Sequence, residues 1–348
     1  MRFLEIWKIF IVILFLAILI IIATFPEKKE TEYDINASVN RALNFLNKSY
    51  SEEYFFDDPY IKCVGQLLGC DVNYRKLDIA TVLTFFLPEE IKSDTRIVHV
   101  TSDADHIISK QLQKWKNVPL KGIPIDLYAV LAYYYSNETK NMLKELIANL
   151  RPDGSWEDYD MYGPGMEWRK VTDESWPIVV LAKHKVDWKL INKTLDKKRE
   201  EVEKILNESF NWTKQGKYYA ILTSYHAFLW VKEEGYNTVE YSKLVKRMEN
   251  WLSKQPNDEY LKKWPVMTAD TLYWLSEGNY SDKNFLERLA REVMKSQEKD
   301  GGWRVSLLKK GEKTESGLII TEENYNSGRS HATLMAILAL ESYKRISN

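Results

Sequence analysis

Cysteine is scarce in this chain of 348 residues, which contains only Cys63 and Cys70. Two cysteines are too few for a zinc finger or a disulfide framework, and they leave open either one local disulfide or two buried thiols. Net charge is also scarce, because 49 Lys and Arg residues balance 50 Asp and Glu residues. Proteins that bind nucleic acid usually carry a basic excess, so we expect no nucleic-acid partner.

One long apolar run lies near the start of the chain. Ile9 to Phe25 is apolar and, with the residues before it, is about long enough to cross a bilayer. No cleavage site of small residues follows, which favours an uncleaved signal anchor over a removed signal peptide. We therefore predict a transmembrane anchor over residues 1–26, a charged stalk over 27–35 and a folded domain over 36–348.

The orientation of the predicted anchor rests on two patterns. Arg2 and Lys8 favour a cytoplasmic N-terminus, although Lys28 and Lys29 on the other side weaken that bias. Seven Asn-x-Ser/Thr acceptor sites favour an exported glycoprotein, the alternative being chance sites in an Asn-rich sequence. They begin at Asn36, Asn47, Asn137, Asn192, Asn207, Asn211 and Asn279. We expect a single-pass membrane protein whose folded domain is extracytoplasmic.

Six apolar, aromatic-rich segments recur at intervals of roughly fifty residues, a period typical of repeat architectures. Each starts with an acid or a histidine. The six first residues are Asp78, Asp126, Glu174, His226, Asp270 and His331. If six such helices run parallel around one axis, their starting side chains converge on a ring.

Amphipathic segments alternate with these apolar ones, and they indicate outer helices with one solvated face. They cover residues 39–46, 103–116, 139–150, 195–210, 240–255 and 284–297. Twelve alternating helices and no strand pattern predict an all-α protein of six helical hairpins. We expect these hairpins to close into an (α/α)6 toroid, with an open superhelix as the alternative.

Two loops that follow outer helices share a pattern. One runs from Leu150 to Trp156 and the other from Gln297 to Trp303, each with a glycine two residues before the tryptophan. Glycine permits the turn after a helix. The tryptophan is expected to pack on the helix end and seal the seam between repeats.

The loop that contains Gln297, Gly301 and Trp303 resembles the QW repeat of squalene and terpenoid cyclases, and the loop ending at Trp156 is a degenerate copy. Residues 267–340 also resemble the β subunits of protein prenyltransferases, which share the α/α toroid. The resemblance places Asp270 and His331 on two of that family's three zinc ligands, while Leu272 stands at the position of the third, a cysteine. The resemblance implies an α/α toroid, and the missing third ligand makes zinc binding doubtful.

The catalytic motifs of these families are incomplete. The Asp-x-Asp-Asp motif of class II terpenoid cyclases is absent, and the nearest approach is Asp103-Ala-Asp105-His106 in an outer helix. We interpret Asp103 as a helix cap. The fold resemblance alone therefore does not specify an activity.

The candidate catalytic residues are the ring residues with the weakest capping explanation. They are Glu174, His226, Asp270 and His331. A protonated histidine is unfavourable at the positive end of a helix, so a neutral imidazole acting as base or metal ligand is one interpretation. The alternative is a histidine bonded to a neighbouring acid inside the toroid.

The candidate ligand-binding residues combine acids with flat aromatic rings. Several lie in the loop 153–170, which leads into the third apolar segment. The set is Asp126, Trp156, Asp158, Trp168, Trp176, Tyr225, Trp274 and Arg329. Arg329 is expected to bind an anionic ligand or to pair with a carboxylate.

Three functions remain open at this point. A terpenoid-cyclase-like toroid would hold an isoprenoid or another lipid in an aromatic-walled cavity, because aromatic rings stabilise cations. An exported carbohydrate-active hydrolase or lyase would use paired carboxyl groups in a polar groove. A non-catalytic membrane-tethered scaffold would have a filled centre. We favour the lipid-binding toroid, with its cofactor undefined and zinc doubtful.

Overall fold

The structure is a computed structural model that describes residues 33–62, 72–121, 123–135, 139–156, 167–208, 212–315, 317, 319–321 and 325–347. It is 67% helical, and residues 35–348 form one compact unit. The predicted anchor and both cysteines lie outside the described residues. Within the described residues, no helix is both long enough and apolar enough to span a bilayer.

Six helical elements form an inner layer. The first is α2 (Val72–Thr81) with a π-helical continuation, Val82–Phe86, and the third is α7 (Glu167–Asp173) with α8 (Ser175–Lys183). The others are α5 (Ile125–Tyr134), α10 (Lys214–Glu233), α12 (Pro265–Glu277) and α14 (Arg329–Ser347). These helices are apolar on most faces, as helices with neighbours on several sides must be.

Amphipathic helices form the outer layer, each with one buried stripe. They are α1 (Ile35–Ser49), α4 (Val98–Trp115), α6 (Lys140–Ala148), α9 (Trp188–Leu206), α11 (Ser242–Leu252) and α13 (Lys283–Lys295). A short helix, α3 (Glu89–Lys92), and a two-stranded hairpin of β1 (Tyr50–Ser51) and β2 (Phe55–Phe56) lie between them. Short 3-10 turns cover Val239–Tyr241, Gln255–Asn257 and Leu261–Lys263.

The inner elements contact one another in chain order, and the last returns to the first. Contacts run from α2 to α5, from α5 to α8, from α8 to α10, from α10 to α12 and from α12 to α14. Helix α14 then contacts the π-helical segment after α2 and the outer helix α1. The ring is therefore closed, which confirms the predicted all-α toroid over the open superhelix.

Asp58 ties the first repeat to the last helix. Its carboxylate accepts hydrogen bonds from the backbone N–H groups of Gly328, at 2.8 Å, and Ser330, at 2.9 Å. The Ser330 hydroxyl adds a third bond at 3.0 Å. An acceptor at this position satisfies N–H groups that have no partner in the first turn of a helix. Asp58 is buried and thus caps α14 from the other end of the chain.

Gln297 makes a second joint across the same seam. Its side-chain amide donates to the carbonyl oxygens of Ser38, at 2.8 Å, and Gly301, at 2.9 Å, and its oxygen accepts from Arg41 Nε at 3.0 Å. Gly301 has φ +96°, and a Cβ there would lie 2.3 Å from the carbonyl oxygen of Arg41. The loop can approach α1 this closely only because residue 301 is glycine.

The structure corrects where the inner helices begin. Asp78, His226 and Asp270 lie inside α2, α10 and α12 instead of at their starts, because each helix extends further upstream than the apolar pattern indicated. Asp103 likewise lies inside α4 and does not cap it. Its carboxylate accepts a hydrogen bond from the Tyr50 hydroxyl, which ties α4 to β1.

We expect Asp58→Ala to lower the free energy of unfolding by about 2–3 kcal/mol, because it leaves buried donors at the start of α14 without an acceptor. Urea titration of the full-length protein in mild detergent measures this change. The control is Asp57→Ala, which removes an exposed neighbour that pairs with Lys62 and should cost less than about 1 kcal/mol. An equal decrease in the free energy of unfolding for the two variants would show that Asp58 does not stabilise the junction between the first repeat and α14.

Candidate functional site

Seven polar and charged side chains from five inner elements and one loop interact at one level of the toroid. We call this set the polar layer. It consists of Tyr60, Arg75, Asp78, Asp126, Arg169, Tyr219 and Asp270. Of the six ring residues, Asp78 and Asp126 interact electrostatically with each other, and Asp270 joins the set through Tyr219.

Asp126 is the second residue of α5, where its carboxylate accepts the backbone N–H of Leu127. Its Oδ1 is sealed from solvent and has no hydrogen-bond partner among the described residues. Burial raises the pKa of Asp126 to about 6, with a further rise from the charge of Asp78 and an opposing effect from Arg169. A carboxyl with this pKa changes its charge close to neutral pH.

Tyr60 contacts both residues of the polar layer that lie on α2. Its hydroxyl receives a hydrogen bond from Arg75 and lies 3.4 Å from an oxygen of Asp78. The Arg75 guanidinium also stacks over the Tyr60 ring, 4.0 Å from its centroid. Burial and the charge of Asp78 raise the pKa of Tyr60, while the two arginines oppose that rise. Tyr60 therefore remains a neutral hydroxyl that can donate a hydrogen bond.

Asp270 lies opposite, on α12, and only 5% of its surface is exposed. Its carboxyl makes no hydrogen bond within the described part of the chain. Burial alone raises its pKa to about 8, so the group is mostly protonated at neutral pH. Burial and the charge of Asp270 raise the pKa values of Tyr218 and Tyr219 on α10. A neutral buried carboxyl is suited to donate a proton.

An aromatic layer lies next to the polar layer. It consists of Phe86, Tyr133, Trp176, His226, Trp230 and Trp274, which come from five inner elements. The His226 ring centroid is 4.2 Å from that of Trp274 and 4.7 Å from that of Trp176. Trp176 and Trp230 meet edge to face at 5.1 Å. The rings form one continuous cluster across the axis.

His226 lies at the centre of the aromatic layer and is 2% exposed. Burial lowers its pKa to about 3, so the imidazole is neutral. Its Nε2 has no hydrogen-bond partner among the residues that the structure describes. A neutral imidazole nitrogen in this position can accept a proton or a hydrogen bond from a ligand.

The two layers are in register along the axis. On five of the six inner elements a residue of the polar layer precedes one of the aromatic layer by four to eight positions, as with Asp126 and Tyr133 or Asp270 and Trp274. At 1.5 Å per residue, these spacings correspond to about 6–12 Å. Asp126, Trp176 and Trp274 are only half-buried, although most of their helix neighbours are fully buried. These three side chains therefore keep part of their surface exposed.

The two matching loops after outer helices have the same geometry. Trp156 donates its ring N–H to the carbonyl of Leu146 in α6, at 2.8 Å, and Trp303 donates to Val293 in α13, at 2.7 Å. Both rings are fully buried. Each tryptophan therefore packs on the end of the preceding outer helix, as the sequence pattern predicted. Trp156 lies in this seam between repeats.

Glu174 shares that seam with Trp156. Its Oε1 accepts the backbone N–H of Trp156 at 2.8 Å, in the same way that Thr333 accepts the backbone N–H of Trp303 at 3.1 Å. Burial raises the pKa of Glu174 to about 7, opposed by the charge of the buried Lys198. In the other repeat the neutral hydroxyl of Thr333 occupies the equivalent position. Glu174 therefore has a structural role.

Three other candidate residues lie outside both layers. Tyr225 is fully buried against the outer helix α11, where its hydroxyl lies 3.2 Å from Glu249. Arg329 binds Asp300 through two hydrogen bonds of 2.8 Å, which is the carboxylate pairing that the sequence left open. His331 is half-buried in the first turn of α14, and its Nδ1 has no partner among the described residues. Asp158 lies outside the described residues.

The donor set does not fit the zinc site that the prenyltransferase resemblance implies. Leu272 is fully buried in the position of the third ligand. Among the described residues, no group of three His, Cys, Asp or Glu side chains is arranged to hold a metal ion. We therefore assign no chemical step to zinc.

Sequence reasoning missed several members of the two layers. They are Tyr60, Arg75, Arg169 and Tyr219 in the polar layer and Phe86, Tyr133 and Trp230 in the aromatic layer. Helical spacing could have found some of them, because Tyr219 and Trp230 share the face of α10 that carries His226. Tyr60 lies in a loop and carries no such signal.

The contacts between successive inner helices define an all-α toroid, and solved structures share this fold. No protein-family model and no curated protein matches the sequence. The type II terpene cyclase MstE from Scytonema, without ligand, matches with a TM-score of 0.60 and 11% identity, over 90% of this chain and 99% of the cyclase.

Two further structures match equally broadly. A variant of the same cyclase in complex with its substrate, geranylgeranyl dihydroxybenzoate, has a TM-score of 0.59 and 10% identity, over 90% of this chain and 98% of the other. A possible member of the GH105 family from Salmonella enterica serovar Paratyphi A has a TM-score of 0.58 and 11% identity, over 93% and 97%. The likeness identifies the α/α toroid that the QW-type resemblance predicted.

We expect Asp270→Asn to change how stability depends on pH. Between the usual aspartate pKa, about 3.9, and about 8, the native state keeps a proton that the unfolded chain releases, so wild-type stability falls as pH rises through this range. Asparagine does not ionise, and the variant should lack this fall, which reaches at most about 1.4 kcal/mol per pH unit.

Urea titrations at pH 4, 6 and 8 measure this effect. As the pH rises, the free energy of unfolding of the variant should increase relative to that of the wild type. At pH 8 the variant should be the more stable protein. Asp105→Asn, at an exposed position bonded to Thr84, should follow the wild-type profile. Parallel profiles for wild type and Asp270→Asn would mean that the Asp270 carboxyl is ionised in the folded protein.

Proposed function

We propose that this protein is a membrane-anchored toroid that binds and transforms an isoprenoid or another lipid-like ligand in its lumen. The observation that carries the proposal is the aromatic layer, whose half-buried rings face the axis one helical turn from the neutral carboxyl of Asp270. Apolar chains gain free energy when they leave water for such a surface. The terpene cyclase that shares the fold binds a geranylgeranyl-bearing substrate, which agrees with this class of ligand.

The proposed chemistry is proton-initiated rearrangement of an alkene. The Asp270 carboxyl gives its proton to one alkene carbon, so that a C–H bond forms, the π bond breaks and a carbocation results. The faces of Trp176, Trp230 and Trp274 stabilise that positive charge through their quadrupoles. Loss of a proton to Nε2 of His226 regenerates a double bond and leaves His226 as an imidazolium and Asp270 as a carboxylate. The imidazolium then returns its proton to that carboxylate through solvent, which restores both groups. The reaction is neutral in redox terms and leaves the composition of the ligand unchanged.

The predicted anchor belongs to the same proposal. The apolar run at residues 9–25 holds the protein at a bilayer, where lipid-like ligands are concentrated, with the toroid outside the cytoplasm. Four acceptor asparagines are exposed on the toroid, namely Asn36, Asn47, Asn207 and Asn279. Peptide mass spectrometry of protein from its native membrane should find glycans on at least one of these four residues. Unmodified asparagine at all four would argue for a cytoplasmic toroid.

The binding proposal is tested by mass spectrometry of small molecules that co-purify with the full-length protein in mild detergent, against a detergent-only control. We expect a lipid or isoprenoid near one molecule per chain. Trp274→Ala should weaken the binding of this ligand roughly 30-fold, because the change removes apolar contact worth about 2 kcal/mol of binding free energy.

The matched control is Trp188→Ala, which removes a tryptophan on α9 that stacks on Tyr236 and is 37% exposed. This variant should retain the ligand as the wild type does. Equal retention by the two variants would place the ligand outside the aromatic layer. A wild-type protein that carries no lipid above the detergent control would count against the proposal itself.

A further inference from the structure

The charges of the polar layer balance. Arg75 and Arg169 contribute two positive charges, and Asp78 and Asp126 contribute two negative ones when both are ionised. An anionic group entering this set would meet two carboxylates, and a cationic group would meet two guanidinium groups. An uncharged group that both donates and accepts hydrogen bonds suits both kinds of side chain.

One buried acceptor and one buried acid in this set lack a hydrogen-bond partner among the described residues. Oδ1 of Asp126 is sealed from solvent and receives no hydrogen bond from the described residues. Asp270 is 5% exposed and, within the same part of the chain, makes none either. A buried polar atom without a partner costs about 1–3 kcal/mol, and native structures rarely keep one without a cause. Hydroxyl groups of a ligand would satisfy both.

A flat aromatic surface adjoins these groups. Trp168 lies nearly parallel to Tyr219, with an interplanar angle of 20° and 6.2 Å between ring centroids. Its ring rests on Gly216, where a Cβ would lie 2.7 Å from the indole. The glycine thereby fixes the ring, which remains half-buried. The Arg169 guanidinium lies over the same ring, 5.4 Å from its centroid. The part of the indole that stays exposed can contact the apolar face of a sugar ring while the sugar hydroxyls bind the charged groups.

We propose that the polar layer binds an uncharged ring bearing several hydroxyl groups, such as a sugar, as the head group of the lipid-like ligand. This inference rests on the proposed function, because the chain of the same ligand occupies the aromatic layer. The two layers lie about 6–12 Å apart along the helices. That spacing lets one amphiphile place its ring in the polar layer and its first isoprene units among the tryptophans.

The test uses three ligands with the same chain: geranylgeranyl β-glucoside, geranylgeraniol and geranylgeranyl phosphate. Their dissociation constants for the full-length protein in detergent micelles are measured by tryptophan fluorescence. We expect the glucoside to bind at least tenfold more tightly than the alcohol, and more tightly than the phosphate. Asp126→Asn and Trp168→Leu should each reduce the preference over the alcohol to less than about threefold while the alcohol binds as before.

The control variants are Asp105→Asn and Trp188→Leu, which should keep the full preference, and melting temperatures confirm that every variant is folded. Equal affinity for glucoside and alcohol, or tightest binding of the phosphate, would overturn the head-group proposal and leave the lipid-binding function standing. Failure of all three ligands to bind would instead remove the lipid-binding function. A preference that survives both Asp126→Asn and Trp168→Leu would place the head group elsewhere and overturn the assignment.

Discussion

The toroid depends on one joint, where the C-terminal helix α14 docks between α12 and the first outer helix α1. An open chain of helical hairpins leaves the first and last repeats each with an apolar face in water. Closure removes both faces, and Asp58 and Gln297 direct it by hydrogen bonds across the seam. These bonds join residues more than 250 positions apart, so they fix the register of the ring as well as its closure. Every lumen position is defined relative to that register.

Closure also explains why the lumen has layers. Inner helices that run the same way around one axis place residues of equal helical height at the same level. Acids and arginines at one height and aromatic rings one to two turns further on therefore form two separate layers of side chains. Carboxylates and arginines lie together in the polar layer, which lowers the cost of burying their charges. The aromatic rings satisfy one another by edge-to-face contact.

The roughly fifty-residue period was sufficient to predict the fold and to bring Asp78, Asp126 and Asp270 together, because parallel helices follow from a repeat of hairpins. It could not separate Glu174 from these residues. Glu174 begins an apolar segment as they do, yet it accepts the N–H of Trp156 in the seam. Tyr60 and Arg169 were missed because their places depend on the path of the chain around the ring. Asp58 was missed for the same reason, since its partners lie at the other end of the sequence.

A raised pKa therefore does not by itself mark a functional acid in this protein. Burial raises the pKa of both Glu174 and Asp270. Glu174 gains a backbone hydrogen bond, lies near Lys198 and occupies a position that Thr333 fills elsewhere, so its burial serves the fold. Asp270 gains no hydrogen bond within the described structure, and the proton that it keeps in the native state lowers the stability of the fold at neutral pH. Under the proposed function, this cost follows from placing a neutral carboxyl where it meets the ligand.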